Sequence, residues 1–184
     1  MSVSTNVLHP WHGAGFGKKA PSIVNGIIEI PAGSRTKYEI DKTTGLLKLD
    51  RVLFSATHYP SNYGFIPQTL GDDKDPLDIL VMTHEPVVPL CLVSARVIGV
   101  MRMVDNGEGD DKIIAVANDD NTLAEIQKLE DLPSQKLDEI RNFFETYKLL
   151  EKKEVVVTGF DSKEVAIGII EKAISFYKET YGDK

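Results

Sequence analysis

Residues 92–117 read LVSARVIGVMRMVDNGEGDDKIIAVA, and the architecture turns on them. Two runs rich in apolar and β-branched residues, 92–104 and 112–117, have the composition of strands. Between them lies Asp105-Asn106-Gly107-Glu108-Gly109-Asp110-Asp111, rich in turn formers and in acid. The segment therefore reads as strand, acidic link, strand. Moving upstream, 77–83 (LDILVMT) is another short apolar run, and 23–31 (IVNGIIEIP), 35–41 (RTKYEID) and 46–54 (LLKLDRVLF) carry further strand signals. Residues 55–76 hold aromatics, Gly and Pro with no period, and read as a long loop or several short turns, a kind of segment that is usually functional. Residues 1–22 read as an extended N-terminal arm, with Trp11 of His9-Pro10-Trp11-His12 packed on the domain. Downstream, Leu137, Ile140, Phe143, Phe144 and Tyr147 follow Pro133-Ser134 on one helical face. Strand 155–160 (VVVTGF) comes next, then Asp161 and Glu164 spaced as a capping box. Ala166, Ile170, Ala173, Ile174, Tyr177 and Tyr181 make the stripe of a last helix. Short strands with two late helices predict an α+β fold, a small antiparallel β-barrel flanked by helices.

The chain has 184 residues, the size of a single domain, and no repeat or linker divides 1–184. Lys plus Arg number 21 against 28 Asp plus Glu, a net charge of −7. That balance opposes sequence-independent nucleic-acid binding, which depends on neutralising phosphates, and opposes a basic membrane-surface helix. No run has the length of a signal peptide's apolar core or approaches the roughly 18 apolar residues of a membrane span, so a cytoplasmic protein is expected. The single cysteine, Cys91, can form no internal disulfide and lies in an apolar stretch, VVPLCLV, which predicts an inert core thiol.

The chemistry concentrates in two acidic clusters, Asp72-Asp73-Lys74-Asp75-Pro76-Leu77-Asp78 and Asp105 through Asp111. Asp78 opens an apolar strand between Leu77 and Ile79. A carboxylate there is at risk of desolvation and needs a cation, either Lys/Arg or a metal. In an extended backbone Asp73 and Asp75 face the same side, and Asp78 can join them after Pro76. Several carboxylates together are ligands for a hard cation such as Mg2+. A helix-loop-helix calcium loop fails on detail, since Asp78 stands where Gly is required and His84 where Glu is required. Lys37 and Glu39 share one strand face. With Arg51, Tyr59, Tyr63, Lys112, Tyr147 and Lys148, the last two on the first late helix, Lys37 adds groups suited to anionic oxygens, while Glu39 adds a carboxylate for a cation. Carboxylates for cations beside Lys, Arg and Tyr for anions suit a phosphate substrate held through a divalent metal.

These residues resemble the soluble inorganic pyrophosphatases of family I. Asp73-Lys74-Asp75-Pro76-Leu77-Asp78 matches their D-x-D-P-x-D signature. Ile28-Glu29-Ile30-Pro31, Lys37-Tyr38-Glu39, Asp50-Arg51, His58-Tyr59-Pro60, Asn62-Tyr63-Gly64, Asp105 through Lys112, Phe143-Phe144-Glu145 and Tyr147-Lys148 follow in the family's order, over roughly residues 8–180. The resemblance implies a five-stranded OB-like barrel flanked by helices. It implies hydrolysis of diphosphate to two phosphates by a metal-activated water, without a covalent intermediate and with Mg2+ as cofactor. Asp73, Asp78, Asp105, Asp110 and Glu39 are implied metal ligands, with Glu29 an acidic residue around them. Asp75 is implied as the acceptor of the water's proton. Lys37, Arg51, Tyr63, Lys112, Tyr147 and Lys148 are implied phosphate ligands, backed by Tyr59. A homo-oligomer, a hexamer foremost, is implied as well.

Three positions depart from the family's pattern. Lys74 stands where Gly is frequent, Asn106 where some relatives carry Glu, and Leu90 within what is more usually a Pro-Gly turn. A left-handed backbone at Lys74 costs roughly 1–2 kcal/mol relative to Gly.

Overall fold

The computed structural model describes residues 9–182. After a one-turn helix α1 (Pro10–Gly13) come strands β1 (Ile23–Ile30), β2 (Thr36–Ile40), β3 (Leu47–Val52), β4 (Asn62–Phe65), β5 (Asp78–Met82), β6 (Leu92–Asp105), β7 (Glu108–Gly109) and β8 (Lys112–Ala117). Helix α2 (Ser134–Thr146), strand β9 (Val155–Asp161) and helix α3 (Lys163–Tyr181) complete the order.

Five strands close into a ring in the order β1-β4-β5-β8-β6, because β6 pairs back onto β1. The 14-residue β6 makes this possible. Its first half pairs with β1 and its second half with β9, while β8 runs beside its middle. The ring with its flanking helices is the OB-like α+β fold expected. One pair differs from the antiparallel expectation: β5 and β8 run parallel. Their sequences explain it. Leu80, Met82, Ile114 and Val116 face one buried cluster, shared with Ile140, Phe143 and Phe144 of α2. Ile79, Val81, Ile113, Ala115 and Ala117 face a second, shared with Ala166, Ile170 and Ala173 of α3. Strands buried on both faces read as continuous apolar runs, the mark of a parallel pair.

The loop reading of 55–76 is corrected by β4, a four-residue strand pairing with both β1 and β5. Gly64 shows why Asn-Tyr-Gly-Phe suits that place. A Cβ there would lie 1.8 Å from the Ile27 carbonyl oxygen, so only glycine admits the neighbouring strand. β2 and β3 form a separate two-stranded sheet beside the ring. The acidic link is a hairpin: Asn106 and Gly107 both have positive φ, 50° and 88°, as a two-residue type I′ turn requires.

Other expectations shift by a residue or a turn. The expected arm contains α1, and its first eight residues lie outside the described ones. Trp11 is buried as expected and its Nε1 donates to the Thr69 carbonyl at 2.9 Å. Ser162, not Asp161, caps α3; Asp161 ends β9, where its carboxylate faces Arg102 at 3.4 Å. Tyr147 and Lys148 sit just past the end of α2 rather than on it. Cys91 is only partly buried, so it is not a core thiol.

Candidate active site

Parallel pairing builds the centre of the site. Asp78 opens β5 and Lys112 opens β8, and the register places them directly opposite. The Lys112 ammonium, almost wholly buried, bridges the Asp78 and Asp110 carboxylates. Burial alone would pull its pKa down, but the two carboxylates outweigh that and push it up, so the ammonium stays charged. On the other side β4 delivers Tyr63, whose hydroxyl donates to Asp78 Oδ2 at 2.6 Å. Burial drives the Asp78 carboxyl upward against the opposing pull of Lys112, and drives the Tyr63 and Tyr59 hydroxyls well up, so both phenols stay protonated donors. Tyr147 stacks on Phe143 beneath, and its pKa is also raised by burial.

Asp73 and Asp75 come from a tight turn between β4 and β5. The Gly71 amide donates to the Asp75 carbonyl at 2.7 Å, and the Asp75 amide donates to Asp73 Oδ1 at 3.0 Å. Lys74 at the tip has φ 68°, so the left-handed backbone is present and is carried by a lysine. Burial raises the Asp73 carboxyl as well. The hairpin between β6 and β8 brings Asp105, which pairs with Lys148. The β2–β3 sheet supplies Lys37, which pairs with Glu39 and, at 3.2 Å, with Asp50.

These side chains line one open cavity of about 390 Å³. It holds Glu29, Glu39, Asp73, Asp75, Asp78, Asp105 and Asp110, with Lys37, Lys112, Lys148, Tyr59, Tyr63 and Tyr147. Arg51 is the expected residue that does not line it. Its Nε donates to Glu151 at 2.8 Å, it pairs with Asp50, and its Nη2 is buried without a hydrogen-bond partner. Glu29 is 8% exposed; burial raises its pKa from an ordinary 4.5 to about 8, although the Ile40 amide donates to its Oε1 at 2.6 Å. Among the described residues no three acidic, His or Cys side chains are drawn into one closed coordination cluster. Glu39, Asp75, Asp78, Asp105 and Asp110 pair with lysines instead.

Two further groups were not legible beforehand. Glu108 lines the cavity from the hairpin, and Lys42, in the turn between β2 and β3, lines it and pairs with Asp75. Lys42 lies in KYEIDKTTG, where it reads as an ordinary turn lysine. Only the fold brings it across to Asp75.

The lining carries eight carboxylates against four lysines. It suits a polyanion only when further positive charge is present, and its all-oxygen donor set fits hard divalent cations. Comparison with known proteins gives the family. Residues 26–178 match the family model described as inorganic pyrophosphatase. The soluble inorganic pyrophosphatase of Oryza sativa subsp. indica is 50% identical over 177 residues, 96% of this chain and 83% of that protein. Soluble inorganic pyrophosphatase 5 of Arabidopsis thaliana is 52% identical over 179 residues, 97% of this chain and 83% of that protein. The crystal structure of the Thermus thermophilus inorganic pyrophosphatase superposes with a TM-score of 0.90 at 43% identity, covering 92% of this chain and 99% of that one. With its fold, its cavity and its sequence all pointing the same way, the chain belongs to the inorganic pyrophosphatase family, hydrolases that cleave pyrophosphate to phosphate.

Proposed function

We propose that this chain hydrolyses pyrophosphate in the cavity described, with Mg2+ as its cation. The observation that carries this is the excess of carboxylates over lysines in a cavity lined by both, together with buried tyrosine donors. Asp73, Asp78, Asp105, Asp110 and Glu39 would hold the cations, with Glu29 beside them. When bound, these ions neutralise the substrate's charge and acidify the attacking water. Asp75 accepts the proton of that water. It stands at the rim on a turn fixed by the Gly71 amide, free of the Lys112 bridge that occupies Asp78 and Asp110.

Phosphoryl transfer asks mainly for positioning and charge stabilisation. Lys37, Lys112 and Lys148 supply mobile point charges and Tyr63 and Tyr147 neutral donors held protonated by burial, while Arg51, outside the cavity lining and paired with Glu151 and Asp50, offers its one unpaired donor, Nη2. Tyr59 supports Tyr63 and Phe143 by ring contact. The experiment that tests the cation assignment is calorimetric titration with Mg2+. Asp78→Asn is expected to weaken binding at least tenfold, and an unaltered titration contradicts the role of Asp78.

We further propose that residues 1–184 form one domain, that the protein is cytoplasmic, and that it assembles as a homo-oligomer, a hexamer foremost. Exposed Val88 and Leu90 in the loop before β6, with Leu92 at its start, offer a contact surface. No described helix is long and apolar enough to cross a membrane. Sedimentation velocity checks the assembly.

A further inference from the structure

The lysines of the cavity are distributed with little overlap. Lys112 serves Asp78 and Asp110, Lys148 serves Asp105, and Lys37 serves Glu39 and Asp50. Each of those three is also placed above on phosphate oxygens. The fourth, Lys42, has a different target: its ammonium pairs with Asp75, and no other ion pair reaches that carboxylate among the described residues. Lys42 is held from behind. His9 Nε2 donates to the Lys42 carbonyl at 3.1 Å, and the Asp41 carbonyl accepts the Gly45 amide at 2.8 Å, closing the turn that carries it. The same arm also holds the segment leading into the aspartate turn, since the Gln68 amide donates to the Trp11 carbonyl at 2.9 Å and Trp11 Nε1 to the Thr69 carbonyl. The His9–Gly13 turn thus spans the β2–β3 turn and the segment leading into the aspartate turn.

We propose that Lys42 is a positioning residue for pyrophosphate hydrolysis: it holds the Asp75 carboxylate in the orientation that meets the attacking water, and the N-terminal turn fixes Lys42 for that task. This rests on the reading of Asp75 as proton acceptor. Both side chains are about half exposed, at 56% and 48%, so the pair contributes little to stability. Its effect lies in geometry. A carboxylate among other carboxylates, on a turn tipped by a left-handed lysine, has several rotamers available, and an ammonium from across the cleft selects one. Such selection acts on turnover and not on substrate affinity, because the pyrophosphate oxygens are held by other groups.

The test is a kinetic cycle at saturating Mg2+, measuring phosphate release from pyrophosphate for wild type, Lys42→Met, Lys42→Arg, Asp75→Asn and the Lys42→Met/Asp75→Asn pair. Lys42→Met is expected to lower kcat about fivefold to twentyfold with KM within about twofold, a fraction of what a general base supplies. Lys42→Arg restores most of kcat, and Lys42→Met has no further effect once Asp75 is Asn. Wild-type kcat in Lys42→Met, with Asp75→Asn inactive, overturns the proposal and leaves the Asp75 assignment standing. So does a raised KM with unchanged kcat, which places Lys42 on the substrate. Full activity in Asp75→Asn overturns the Asp75 assignment and this proposal with it.

Discussion

A carboxylate's meaning here depends on what faces it. Asp78 and Asp110 share one buried ammonium, Asp105 has another, and Asp75 stands at the rim with Lys42. Asp75→Asn is therefore expected to keep the fold and Mg2+ binding while lowering kcat about 100-fold or more, the range a general base supplies. Unchanged circular dichroism with lost phosphate release checks it. Arg51→Lys keeps the charge but loses the planar group that meets Glu151 and Asp50 and leaves Nη2 over, and a fall in kcat/KM of about tenfold is expected. These residues could be picked out as candidates because they sit in ordered runs such as DKDPLD. Lys42 could not, because its partner is 33 positions away and lies across a cleft. The three departures also acquire a physical account only from backbone angles. Lys74, Leu90 and Asn106 all have positive φ, at 68°, 65° and 50°. Asn tolerates that region well, and Lys and Leu poorly. Lys74→Gly is expected to stabilise the protein by about 0.5–1 kcal/mol, the left-handed penalty less the extra freedom Gly gives the unfolded chain. A urea midpoint reads the change, and a lower midpoint contradicts it.

At the scale of elements, strands with strong apolar patterning were foreseeable and those made by their neighbours were not. β5, β6 and β8 announce themselves by composition. β4 is four residues of mixed chemistry, fixed by pairing on both sides and by the lack of a side chain at Gly64. Gly64→Ala is expected to destabilise by about 3 kcal/mol or more, since backbone must move to admit a methyl. It should also lower activity, because β4 carries Tyr63. Thermal melting beside phosphate release checks both, and a variant with the wild-type midpoint contradicts the close approach. The parallel β5–β8 pairing was equally hidden, yet it is what sets Asp78 against Lys112. Two acidic clusters 34 residues apart become one site through that register.

For the whole molecule, the fold places more negative than positive charge around the cavity. Glu29 lines it, and burial raises its pKa from 4.5 to about 8, with smaller upward pushes from Asp78 and Glu39. The folded state thus binds a proton there that the unfolded state has released. Its contribution is fully present below about pH 4.5 and is lost as pH rises through about 8. In chelator, wild type should lose a few kcal/mol of stability across that window relative to Glu29→Gln, whose neutral amide keeps the same shape. Parallel pH dependences for the two proteins contradict the assignment. In the proposed function, divalent cations invert the charge of this cavity so that pyrophosphate enters and is split. Phosphate release from pyrophosphate, with Mg2+ and then with excess chelator, tests it most directly. The account predicts rapid release with Mg2+, loss of it in chelator and recovery on adding the metal back. Equal release in chelator, or none with Mg2+ present, contradicts it.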